Sequence, residues 1–148
     1  MSPFAKEHIK GEETVIIPNL LVRDIERSVG FYRDVLGLKL TLCVGGDRSY
    51  SEDGSFVADP VFAILEWEGA RLMLQTAASL ATDIPRFSAD QQPVASGAVY
   101  LQGFDPDSVV DRFQAEQVLK GPETAWYGMR EIHVRDPDGY VLSLGRVD

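Results

Sequence analysis

Most of this chain alternates apolar and polar positions in short runs cut by glycine-rich turns, the period of half-buried strands, and only two stretches shift to a helical period. Thr14 to Val22 is β-rich and ends at Asp24, an N-cap residue for a helix whose apolar positions Ile25, Val29, Tyr32 and Leu36 share one face. Gly37 supplies the left-handed stop. Strands are predicted over Leu38 to Leu42, Val61 to Leu65 and Arg71 to Thr76. A second series begins at Ala98–Gln102, takes Asp105–Pro106 as cap and first helical turn, and runs a helix through Val109, Val110 and Phe113. Strands at Met129–Arg135 and Tyr140–Leu144 complete it.

The two series are copies of one another. Glu68-Gly69-Ala70-Arg71-Leu72-Met73-Leu74 and Asp138-Gly139-Tyr140-Val141-Leu142-Ser143-Leu144 lie 70 positions apart, and each puts a glycine turn before an alternating strand. The prediction is an α+β fold of two βαβββ modules with curved mixed sheets enclosing a cavity. Module one covers about 14–76, a linker 77–95, and module two about 96–148, all within a single domain. From helix cap to hairpin glycine the first copy spans 45 positions and the second 34. The surplus falls in the polar loop Gly45 to Gly54, which reads either as a lid over a pocket or as a plain insertion.

Composition narrows the class of function. At 148 residues and 45% apolar the chain can bury a sizeable core. No window approaches a membrane span, and Met1 to Glu13 lacks the apolar stretch of a secretory signal, so a cytoplasmic protein is expected. Cys43 is the only cysteine, which excludes an internal disulfide and suits a small strand residue. The net charge of −9 argues against nucleic acid as partner and favours cationic ligands.

A family resemblance rests on Pro18-Asn19-Leu20-Leu21-Val22-Arg23-Asp24-Ile25-Glu26-Arg27-Ser28, on Phe31-Tyr32-Arg33-Asp34-Val35-Leu36-Gly37, and on Asp136-Pro137-Asp138-Gly139. The chain resembles the glyoxalase/bleomycin-resistance/dioxygenase superfamily, also called vicinal oxygen chelate, over nearly its whole length. Trp126 to Glu131 is similar to the bleomycin-resistance branch. The resemblance implies homodimers with pockets between subunits, and in the enzymes a divalent metal held by His, Gln or Glu from the first and last strands of each module. Carried onto this chain, those positions are Ile17, Met73, approximately Ala98, and Ser143. None of these makes a competent ligand set, and the only histidines are His8, in the polar N-terminal stretch, and His133. No metal and no cofactor are expected.

The turn Asp136-Pro137-Asp138-Gly139 pairs Asp136 with Tyr140, which sets His133 opposite Ser143 and Arg135 opposite Val141. Ile132, Val134, Leu142 and Leu144 then face the helices. The other face carries Glu131, His133, Arg135 and Ser143, joined by alternation with Tyr100, Gln102 and Asn19 on the concave side. Trp126 at the rim offers an aromatic surface, with Trp67, Tyr50 and Phe56 as weaker candidates. Glu131 and Arg135 read equally as a solvated ion pair, and His133 as a structural hydrogen-bonding residue. Two functions compete: metal-free binding of a planar or cationic aromatic compound, with antibiotic resistance as the physiological setting, and a metal-independent lyase, isomerase or glyoxalase-like enzyme with His133 as base oriented by Glu131.

Overall fold

The structure, a computed structural model, describes residues 14–148. His8 lies outside the described residues. Two sheets of the same order make the molecule. In the first, β1 (Asn19–Val22) lies at one edge, followed by β5 (Ala70–Thr76), β4 (Pro60–Trp67), β2 (Lys39–Gly45) and the short β3 (Tyr50–Ser51). In the second, β6 (Ala98–Gln102) is followed by β9 (Val141–Val147), β8 (Met129–Arg135) and β7 (Val118–Thr124). In each, the first strand runs parallel to the last, β1 to β5 and β6 to β9, while the remaining pairs are antiparallel. A parallel pair needs a crossover, and the helix after the first strand provides it.

The predicted duplication is therefore present, with local departures. Asp24 caps α1 (Ile25–Val29), its carboxylate accepting the Arg27 amide at 2.8 Å. The helix then widens into a π-turn over Gly30–Val35, where the Leu36 amide reaches back to the Phe31 carbonyl, and Gly37 closes it at φ 85°. In module two the helix is far shorter than its pattern predicts. Only Pro106–Val109 (α3) is α-helical, then a 3₁₀ turn at Val110–Arg112 leaves Phe113 extended. Val109 and Val110 are successive β-branched residues, which disfavours continuing the helix. Two strands escaped prediction. β7 carries glycine and proline and little alternation, and β3 is two residues inside the polar loop, which it turns into an edge hairpin on β2. Part of the predicted linker is helical, α2 (Ala77–Asp83). The run 14–18 precedes β1 and is not strand.

The twin hairpins also differ in detail. Gly139 takes the left-handed conformation at φ 88°, as predicted, whereas at the first hairpin it is Glu68 that does so, at φ 53°.

The register predicted for the second hairpin holds: His133 pairs with Ser143 and Arg135 with Val141. Ile132, Val134 and Leu144 are wholly buried and Leu142 is 1% exposed. They join Val22, Ile25, Val29 and Tyr32 of module one in a single core. Cys43 is buried in β2.

Two joints lock the modules together. Trp67, at the β4 end, stacks on Phe104 with centroids 4.2 Å apart. At the other joint the Asp136–Asp138 turn docks on α1. Tyr32 donates its hydroxyl to Asp136 at 2.6 Å, and Ser28 to Asp138 at 3.1 Å. Arg23 and Arg27 pair with Asp138 at 3.2 and 3.1 Å. Burial pushes the Asp136 carboxyl above its ordinary value, against the pull of the Tyr32 hydroxyl and two backbone amides.

Candidate functional site

The face of the second sheet turned away from the helices gathers the residues with chemistry. β8 supplies Glu131 and His133, β9 supplies Ser143 and Gly145, and β6 supplies Tyr100. Glu131 stands opposite Gly145, whose missing side chain matters: a Cβ there would collide with the Tyr100 hydroxyl. The Tyr100 ring thus lies across Gly145 toward Glu131. From the β7–β8 turn Tyr127 donates its hydroxyl to Glu131 Oε1 at 2.5 Å.

Glu131 is 4% exposed, yet no arginine or lysine makes an ion pair with it among the described residues. Lys120, opposite His133, is engaged by Glu123 at 3.0 Å. His133 Nε2 lies 3.8 Å from Glu131 Oε1, and its Nδ1 is hydrogen-bonded to Ser143 Oγ at 2.8 Å. Burial alone would raise the Glu131 carboxyl, but the Tyr127 and Tyr100 hydroxyls, with His133 and Lys120 nearby, outweigh it and hold the group below its ordinary value. The reciprocal effect appears on Tyr100, pushed up to about 12 by burial and then by the Glu131 carboxylate. The carboxylate is kept ionised chiefly by two hydroxyl donors, with the charges of His133 and Lys120 as lesser contributions.

Above it Trp126 is 95% exposed and meets Tyr127 edge to face at 5.5 Å. Tyr127 is half exposed and was missed from sequence, where its four-residue spacing from Glu131 across a turn carries no signal.

The remaining expected residues are more scattered. Arg135 and Gln102 are exposed on their strands, and Arg135 makes no ion pair with Glu131. Asn19 and Met73 pair with each other in the first sheet, where Asn19 donates to Gln75 at 2.9 Å. Gln75 is 4% exposed and fully engaged, donating also to Ser79 and Asp83 on α2. The single concave set expected from alternation is thus two faces, one per sheet, and no hydrogen bond among the described residues joins Asn19 or Met73 to Glu131 or His133. Trp67 and Phe56 serve packing: Trp67 on Phe104, and Phe56 against the core with Arg33 over its ring at 5.4 Å.

The positions at which the resemblance implies metal ligands hold Ile17, Met73, Ala98 and Ser143, and Ser143 is already bonded to His133. These donors do not fit a divalent cation. Among the described residues no three His, Cys, Asp or Glu side chains converge where they could hold one.

Two mixed sheets built from repeated βαβββ modules, with few helices, define a vicinal-oxygen-chelate type of fold. The model of the Glyoxalase/Bleomycin resistance protein/Dioxygenase superfamily matches residues 14–144, and the chain belongs to that superfamily. Among solved structures it is similar to a protein of unknown function from Agrobacterium tumefaciens, at 24% identity over 95% of this chain and 98% of that one, TM-score 0.68. It is also similar to a glyoxalase/bleomycin resistance protein/dioxygenase from Nocardioides, at 20% identity, covering 97% and 89%, TM-score 0.63. A lactoylglutathione lyase from Agrobacterium tumefaciens matches at 20% identity over 93% and 96%, TM-score 0.59. These likenesses are of fold. A search of curated proteins finds no match.

Proposed function

We infer that this protein binds a flat, cationic aromatic small molecule without a metal, on the outer face of the second sheet. The observation that carries this is the Glu131 carboxylate: 4% exposed, ionised, without a formal cation in ion-pair contact, and roofed by Tyr100 and Tyr127 with Trp126 beyond them. A cation stacked on those rings meets both their π faces and the carboxylate behind them. The chain's net charge of −9 favours the same sign of ligand. Sequestration of such a compound is how a bleomycin-resistance-like protein would protect a cell.

Titration with proflavine, a planar acridinium cation, tests this. Trp126→Ala is expected to weaken binding by about 1–3 kcal/mol. Glu131→Gln is expected to weaken it and to flatten its salt dependence. Unchanged affinity in both variants refutes the reading. A second reading, a metal-independent enzyme, is favoured by the His133 to Glu131 approach of 3.8 Å and the Ser143 bond to Nδ1, an arrangement that orients Nε2 for proton transfer. Turnover of a bound compound that His133→Ala abolishes would establish it in place of sequestration.

A further inference from the structure

A separate cavity of about 400 Å³ opens at the seam between the modules. Its apolar wall includes Leu38, Trp67, Leu72, Leu101, Phe104 and Leu142. Leu142 points to the opposite side of β9 from Ser143, so most of this space lies behind the Glu131 face, and Tyr100 of β6 is the one residue of that face that also borders it. Both modules contribute, and the Trp67–Phe104 stack fixes their relation at this place.

One charged side chain, Arg71 on β5, belongs to the lining. It is half-buried, and its guanidinium has no hydrogen bond or ion pair with any described residue. The other arginines of similar exposure are all matched: Arg33 with Asp34, Arg130 with Asp107, and Arg146 with Asp105. Glu66, the cross-strand neighbour of Arg71, is not part of the wall. An unmatched guanidinium at the margin of an apolar cavity is a recognition element in wait of an anion, since its planar fork holds a carboxylate by two charge-assisted hydrogen bonds. The volume lies toward the lower end of small-molecule sites, which limits the apolar body to one compact group.

We propose that this seam binds an amphiphilic monocarboxylate, its apolar body between Trp67 and Leu142 and its carboxylate on Arg71. Calorimetric titration with 1-naphthoate, and with 1-naphthylmethanol as the neutral molecule of similar shape, tests it. The carboxylate is expected to bind more tightly. Arg71→Gln should weaken naphthoate by roughly tenfold or more while leaving the alcohol unchanged. Leu101→Trp, which fills the cavity, should abolish both. If that variant does not fold, naphthoate-induced shifts of the Trp67 indole resonance in the wild type report the same occupancy. No binding at millimolar concentration, equal affinity for acid and alcohol, no effect of Arg71→Gln, or displacement of naphthoate by proflavine would each overturn the proposal.

Discussion

Replacing Asp138 with Ala probes the joint that holds the second module's hairpin on the first module's helix. The carboxylate is fully buried, and it receives four donors: Ser28 Oγ at 3.1 Å on Oδ2, and on Oδ1 the Arg23 amide at 3.3 Å, Arg23 Nη1 at 3.2 Å and Arg27 Nη2 at 3.1 Å. The four are unequal. Arg23 and Arg27 are 46% and 49% exposed, so on losing the carboxylate their guanidinium groups return to water at little cost, worth together about 1 kcal/mol. Ser28 is wholly buried, and its stranded hydroxyl costs about 1–3 kcal/mol. The expected loss is about 2–4 kcal/mol by urea titration, with a fall in Tm of about 2–4 °C per kcal/mol for a domain of this size. The partition is checked by a cycle with Ser28→Ala. Once the hydroxyl is gone, Asp138→Ala should cost less by about the stranded-hydroxyl term. A loss below about 0.5 kcal/mol, or strict additivity of the two changes, refutes the reasoning, because it would mean that the turn is not tied to α1 through a buried bond.

Other outcomes follow from the same structure. Leu142→Ala removes a core side chain beside Ile132, Val134 and Leu144 and should cost about 2–5 kcal/mol in a denaturant titration. Tyr100, with an ordinary value of 10.0, holds its proton to about 12 in the folded protein, so the unfolded chain ionises first. This contribution to stability is complete below pH 10 and is lost as pH rises toward 12; ultraviolet titration should show Glu131→Gln shifting the Tyr100 transition down. From the donor chemistry at Ile17, Met73 and Ser143, elemental analysis after gel filtration should find no stoichiometric zinc, iron, manganese or nickel. From the family resemblance and the exposed strand edges, sedimentation equilibrium should show a homodimer rather than a 16.4 kDa monomer.

Alternation and turn chemistry are local properties, and they placed β6 and β8 at their observed bounds, the Asp24 and Asp105 caps, the Gly37 stop and the β8–β9 register by sequence alone. They also put Glu131, His133 and Ser143 on one face, because a strand's two-residue period leaves no other choice once the register is set. Where local preference is weak the sequence was silent. β7, with Gly121 and Pro122, is a strand because β8 offers it an edge, and the apolar pattern through Val110 and Phe113 overruns the second module's helix, which ends at Val109 in a 3₁₀ turn. The distant pairings are tertiary in kind. Tyr100 reaches Glu131 across Gly145, Tyr127 folds back over the same carboxylate, and Arg71 stays unmatched beside a cavity shared by both modules. Each depends on how two sheets and their turns are set against one another in space. That arrangement is decided by the burial of one common core, and no window of neighbouring residues encodes it.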